Sequence, residues 1–211
     1  MIDHAVLKPE AKFADVRAAC ELAGEYRIGS LFVKPCEVVA ARGCLNGSSV
    51  RLGTVIGFPH GSTYTKVKAA EARQAVADGV VELDMVANIG RLIDTDATYV
   101  RDDVAAVVSA AEGRTVKVII ECCCLNRDQM RLACDTIAQA GAAFVKTSTG
   151  FAETGATVED VHFLRDCVGN RLRVKAAGGI RTLSDAFAMI QAGAVRIGTS
   201  RSAEILDAMP A

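Results

Sequence analysis

The chain predicts an α/β domain built as a single (β/α)8 barrel over residues 1–211. Three observations point there. Short runs rich in β-branched residues alternate with longer segments whose apolar residues recur at i, i+3 and i+4. Gly79, Gly141 and Gly193 each stand between a helical pattern and the next apolar run, where a left-handed cap would end a helix. Seven or eight such units fit into 211 residues with no second zone of composition, near the short end for this fold. The alternation implies parallel strands joined by right-handed crossovers. An open doubly wound sheet is the main competitor. The absence of GxGxxG after the first strand counts against its dinucleotide-binding version.

In order, Ile2–His4 reads as a brief opening strand, followed by a helical pattern over Asp15–Tyr26. Ser30–Val33 is the next strand, and Pro35 suits the first turn of a helix over Pro35–Leu45. Leu52–Ile56 leads into a loop, after which Thr63 is placed to cap a helix over Thr63–Asp78. Val80–Met85 is followed by a helix over Thr98–Ala111. Val116–Glu121 is followed by one over Arg127–Ala140, with Asn126 as its cap. The pattern closes with strands at Phe144–Lys146, Arg173–Ala176 and Ala194–Ile197. Their helices are expected over Val158–Cys167, Leu183–Ala192 and Ser202–Met209.

Composition narrows the function. The formal net charge of −1 gives no general attraction to nucleic acid or to an anionic membrane. No apolar run approaches the ~20 residues that span a bilayer, and Met1-Ile2-Asp3-His4 lacks the regions of a signal peptide. A cytoplasmic protein is expected. Eight cysteines include the consecutive Cys122, Cys123 and Cys124, and none forms a CxxC pair with zinc-type spacing. They read as small buried thiols in a reducing compartment. The three histidines, His4, His60 and His162, form no HxH or HExxH pair, so no metal is expected.

In a barrel of this kind, chemistry gathers at the C-terminal ends of the strands. Those ends hold Asp3, Lys34, the loop Gly57–Gly61, Asp84, Glu121, Lys146, Lys175 and Gly198-Thr199-Ser200. Lysine is rarely buried, yet Lys146 and Lys175 each end an apolar run. Side chains two apart share a face of a strand, so Glu82 and Asp84 point one way, as do Phe144 and Lys146, and Arg173 and Lys175. If those faces point inward, two lysines and an aspartate converge at the mouth. A neutral lysine can condense with a carbonyl to give an iminium, the electron sink that carbon–carbon cleavage needs. Its pKa must first fall from ~10.4 toward ~7, and a neighbouring ammonium assists that fall. Either lysine alone is as readily a rim salt bridge. Asp84 can move protons or serve as a structural acceptor, and Glu121 can be an acid, a base or an acceptor holding loops. Gly178-Gly179 and Gly198-Thr199-Ser200 close the last two strands, where backbone N–H groups often cradle phosphate, and Arg181 and Arg201 could assist.

These motifs, in this order, resemble the deoxyribose-phosphate aldolase family. The resemblance rests on Ile2-Asp3-His4, Leu7-Lys8-Pro9, Val55–Gly61, Glu82–Val86, Asn88-Ile89-Gly90, Val118–Glu121, Phe144–Phe151, Val174–Arg181 and Arg196–Ser200. It implies a class I aldolase that cleaves 2-deoxy-D-ribose 5-phosphate to D-glyceraldehyde 3-phosphate and acetaldehyde, a step in deoxyribose phosphate breakdown. It also implies Lys146 as the Schiff-base lysine, Lys175 as its electrostatic tuner and proton-transfer partner, and Asp84 as proton shuttle. Gly178, Gly179, Gly198 and Ser200 fall where the family holds phosphate. No cofactor is implied, and dimers or tetramers are common. Two departures stand out. Where the family often has Val-Cys-Val-Asn-Pro, this chain has Leu31-Phe32-Val33-Lys34-Pro35, so Phe32 could narrow the site and Lys34 could bind an anion or sit on the rim. Another lysine-dependent phospho-sugar aldolase, or a silent phosphate-binding barrel, are the alternatives.

Overall fold

A computed structural model describes residues 1–210. Eight parallel strands close in sequential order: β1 (Ile2–Val6), β2 (Ser30–Val33), β3 (Arg51–Ile56), β4 (Glu82–Val86), β5 (Thr115–Ile119), β6 (Phe144–Lys146), β7 (Arg173–Ala177) and β8 (Arg196–Thr199). Between them run α1 (Phe13–Glu25), α2 (Val38–Cys44), α3 (Thr65–Ala77), α4 (Ile89–Ile93), α5 (Ala97–Ala110), α6 (Arg127–Gln139), α7 (Val158–Val168) and α8 (Leu183–Gln191), with α9 (Ser202–Asp207) last. The closed barrel decides against the open sheet.

Local signals explain most boundaries. Asn126 caps α6 by accepting from Gln129 N–H at 2.9 Å, and Gln129 returns a bond to Asn126 N–H. Gly79, Gly141 and Gly193 all have positive φ. Three expectations need correction. Thr63 does not cap α3, which begins after Tyr64 without a side-chain cap. The segment expected as one helix from Pro35 is a 3₁₀ turn over Pro35–Glu37 followed by α2. The short helix α4 was not expected, although Asn88 caps it by accepting from Arg91 N–H at 3.2 Å.

The main apolar core lies between sheet and helices, as in Leu31, Val33, Leu83, Met85, Val118, Val145 and Val174 against Val16, Val100, Val104, Ile137 and Leu164. The buried Lys68 is part of that layer. Its Nζ lies 2.6 Å from Asp103 of α5 and 3.0 Å from the Val86 carbonyl, which fixes α3 against α5 and the end of β4. Breaking such a pair leaves an uncompensated buried charge and costs about 3–5 kcal/mol.

The barrel interior differs from the usual packing of branched aliphatics. The strand registers stack it in three layers from alternate strands. Ser30, Glu82, Phe144 and Arg196 form the lowest. Asp3, Gly53, Lys117 and Lys175 form the middle. Phe32, Asp84, Lys146 and Gly198 form the upper layer, toward the C-terminal mouth. Seven of these twelve are ionisable: four bases and three carboxylic acids.

Candidate active site

The inward faces expected for Asp84, Lys146 and Lys175 meet at one oxygen. Lys146 Nζ donates to Asp84 Oδ2 at 2.8 Å, and Lys175 Nζ donates to the same atom at 2.6 Å. Asp84 Oδ1 accepts from Lys117 at 3.0 Å, and Lys117 also donates to Glu82 at 2.6 Å. Lys175 lies 2.6 Å from Asp3 Oδ2, while Arg196 pairs with Asp3 from below and donates to Glu82 Oε2 at 3.1 Å. All of these but Arg196 are buried, and Arg196 is half-buried by its position at the lower end.

The electrostatics divide the lysines into two kinds. Burial is the largest influence on Lys146. Asp84 opposes it, but Lys175 and Lys117 add to it, and the amine falls from 10.5 to about 8. Burial also disfavours charge on Lys175, yet Asp3 and Asp84 outweigh it and hold its ammonium above the ordinary range. Burial would favour the neutral acid at Asp84. Lys117, Lys146 and Lys175 together overcome that and keep the carboxylate ionised well below its usual range.

The mouth above is a cavity of about 1020 Å³. Its floor is Phe32, Asp84, Lys146 and Lys175, and its wall includes Gly178, Gly179, Gly198 and Ser200, so every predicted site residue borders one space. Gly178 and Gly179 both have positive φ. Gly178 is also pressed by the backbone of Gly155, whose Cα lies 3.0 Å from where a Cβ would stand. At Gly198 a Cβ would come within 2.9 Å of Ala177 Cβ and 3.2 Å of Lys175 Cε, so a side chain there would disturb the lysine. Thr199 Oγ1 donates to Ile180 O at 2.8 Å and ties the loops after β7 and β8 together. Arg181 and Arg201 also border the cavity, but Arg201 is paired with Glu204 at 3.0 Å.

A family model described as DeoC/LacD family aldolase matches residues 1–203. The chain belongs to the DeoC/LacD aldolase family. It is 49% identical over 208 residues to a deoxyribose-phosphate aldolase of Clostridium perfringens, covering 98% of this chain and 93% of that one. It is 48% identical over 212 residues to deoxyribose-phosphate aldolase 1 of Bacillus licheniformis, covering 100% of this chain and 95% of that one. The solved deoxyribose phosphate aldolase of Aeropyrum pernix superposes with a TM-score of 0.92 at 34% identity, over 98% of this chain and 88% of that one.

The two departures from the family pattern have different placements. Phe32 points into the barrel with its ring under the cavity. Lys34 stays on the rim, where Nζ donates to the Ala11 carbonyl at 2.7 Å and reaches that of Pro9 at 3.5 Å, tethering the loop after β1. Glu121 acts as an acceptor. It sits in a left-handed conformation and takes Thr149 N–H at 3.1 Å and Thr149 Oγ1 at 2.5 Å, bracing the loop after β6. His60 and His162 are exposed, and His162 lies 3.3 Å from Asp166 on the same helix. His4 faces away from the barrel axis and shares a 2.9 Å hydrogen bond with the buried Ser202. The cysteine expectation is corrected in part. Cys20, Cys122 and Cys134 are buried, but Cys36, Cys44, Cys123 and Cys124 are exposed.

Sequence reasoning missed Lys117 and Arg196 and left Asp3 without a partner. Lys117 carried the same signal as the other lysines, a base inside the apolar run Val116-Lys117-Val118, but in mid-strand rather than at a strand end.

Proposed function

We propose that the protein is a deoxyribose-phosphate aldolase that cleaves 2-deoxy-D-ribose 5-phosphate through a Schiff base on Lys146. The supporting observation is the single carboxylate oxygen of Asp84 shared by two lysines of opposite character, one amine brought to about 8 and one ammonium held charged. At pH 7 an amine titrating near 8 is neutral in about one molecule in ten, against roughly one in three thousand for an unperturbed lysine.

The neutral Lys146 amine attacks the C1 aldehyde carbon of the open-chain sugar, giving a carbinolamine. Lys175 supplies the proton with which the hydroxyl leaves as water, and an iminium remains. Asp84, kept ionised, accepts the proton of the C3 hydroxyl, directly or through water. The C2–C3 bond breaks, its electrons pass to the iminium nitrogen, and D-glyceraldehyde 3-phosphate departs. The enamine left on Lys146 takes at C2 the proton that Asp84 accepted, and water hydrolyses the resulting iminium to acetaldehyde and the free amine, the released proton returning to Lys175. The N–H groups of Gly178, Gly179, Gly198 and Ser200 hold the 5-phosphate at the other side of the cavity, which keeps C1 over Lys146.

The enzyme is thus an aldehyde-lyase that requires no metal or organic cofactor in this reading. A cytoplasmic setting accords with eight free thiols, several of them exposed. Assembly into dimers or tetramers accords with exposed Phe13, Tyr64 and Phe187 and with the tetrameric structure described for the Aeropyrum pernix relative.

The test is borohydride reduction in the presence of acetaldehyde or the sugar phosphate, followed by mass mapping of the modified peptide. An adduct on Lys146 is expected. No adduct, or one on a different lysine, overturns the assignment.

A further inference from the structure

Phe32 is the largest fully buried side chain among the described residues, and it sits among the ionisable side chains of the barrel interior. Its ring centroid lies 4.2 Å from Lys175 Nζ and 4.3 Å from Lys117 Nζ, so one aromatic face serves two ammoniums. The ring reaches across to β3. There Gly53 leaves the room it occupies, since a Cβ on Gly53 would stand 2.5 Å from the ring's Cζ. Phe32 is therefore held on three sides, by two charged groups and by a backbone with no side chain. In the upper layer the order around the barrel is Phe32, Asp84, Lys146, Gly198, contributed by β2, β4, β6 and β8. Phe32 and Lys146 consequently face each other across the axis, and both border the cavity.

A carbonyl compound condensed on Lys146 must place its own carbons in the space next to that nitrogen. The phosphate loops after β7 and β8 flank one side of the layer, and the Asp84 carboxylate flanks the other. Across the axis from that nitrogen, at the floor below the open mouth, stands the Phe32 ring. We propose that Phe32 is a specificity-determining residue that limits the donor carbonyl on Lys146 to a two-carbon aldehyde, excluding carbonyls with one more methyl group. This rests on the aldolase reading above and adds the size of the donor to it. Because the ring is anchored on Lys117, Lys175 and Gly53, it cannot swing aside without uncovering two buried charges.

One methyl group in an apolar pocket changes selectivity by about 10- to 200-fold. The experiment uses the full-length protein and borohydride trapping at Lys146, comparing acetaldehyde with propanal as probes and quantifying each adduct by mass. Trapping needs neither the acceptor aldehyde nor phosphate binding, so it isolates the donor side. In the parent protein acetaldehyde is expected to be trapped at least about 10-fold faster than propanal at equal concentration. In Phe32→Val the propanal-to-acetaldehyde ratio should rise about 10-fold or more. Phe32→Leu, which keeps more bulk, should move the ratio the same way by a smaller factor, and it decides the matter if the valine variant does not fold. Equal trapping of the two aldehydes by the parent, or an unchanged or lower ratio in the folded variant, overturns the role given to Phe32. Failure of acetaldehyde to label Lys146 in the parent is a different result, which overturns the aldolase reading itself.

Discussion

Lys175→Leu is the sharpest test of the electrostatic argument. Lys146 and Lys175 donate to one oxygen at 2.8 and 2.6 Å, so their nitrogens are no more than about 5.4 Å apart. At that separation and an effective dielectric of about 20, two unit charges repel by about 3 kcal/mol. Each 1.36 kcal/mol is one unit of pKa, so removing the ammonium should carry Lys146 from about 8 to roughly 10. Asp3 and Asp84 would also be left with one cation fewer, which acts in the same direction. At pH 7 the neutral fraction of Lys146 should fall about 100-fold, and the rate of borohydride trapping with acetaldehyde should fall with it. The pH profile of trapping separates tuning from simple damage. Its midpoint should move up by about two units, and raising the pH to ~10 should recover much of the rate. Circular dichroism confirms that the barrel is retained. A folded variant whose rate falls less than about threefold, or whose midpoint stays near 8, would refute the reasoning.

Three further outcomes are expected. In the parent protein kcat/KM should climb with pH through about 8, because the proposed nucleophile is the deprotonated Lys146 amine and its fraction grows as pH passes that value; a profile flat between pH 6 and 9 counts against the assignment. Glu121→Gln removes the charge that holds Thr149 N–H and Oγ1 and should destabilise the fold by about 1–2 kcal/mol, read as a drop in thermal midpoint of a few degrees; an unaltered midpoint contradicts the bracing role. Lys34→Met should release the loop after β1, so that amide exchange over residues 8–12 speeds up by about fivefold, a figure set by the roughly 1 kcal/mol of a backbone-directed hydrogen bond; unchanged exchange would place the tether elsewhere.

What the sequence disclosed follows from where each residue stands in its strand. Lys146 and Lys175 end apolar runs, and the period of two put them on the same faces as Phe144 and Arg173. That was enough to bring them to the mouth. Lys117 obeys the same period, but a base in mid-strand reads as an interruption of the run. Its meaning depends on the register that sets Lys117 opposite Asp84. Arg196 and Asp3 lie on β8 and β1, the pair whose contact closes the barrel, and their ion pair exists only because the sheet closes. The count of β/α units predicts closure, but the residues of β1 and β8 do not say which side chains meet across that seam. The start of α3 departs from expectation for a similar reason: its first residue, Thr65, donates through Oγ1 to Asp103 on α5 at 2.7 Å, a tertiary contact that the local Thr63 signal does not reveal. For Phe32 the side chain was legible and its direction was not, since that depends on the space left by Gly53 one strand away.

The layers of the barrel also support Lys146, rather than Lys175, as the reactive lysine proposed above. With every group ionised, the interior holds Lys117, Lys146, Lys175 and Arg196 against Asp3, Glu82 and Asp84, a surplus of one positive charge in a space with little solvent. Deprotonating Lys146 or Lys175 removes the surplus, so their neighbours decide which. Lys175 touches carboxylates of two residues, Asp3 and Asp84. Lys117 touches Glu82 and Asp84 and lies 3.6 Å from Asp3. Lys146 has Asp84 alone, through an oxygen it must share. It therefore loses least when its proton leaves, and it is also the one that stands in the top layer, beside the cavity. The same imbalance that would destabilise a purely structural core thus favours a neutral amine at the place where a carbonyl can reach it, while Lys175 stays charged beneath it.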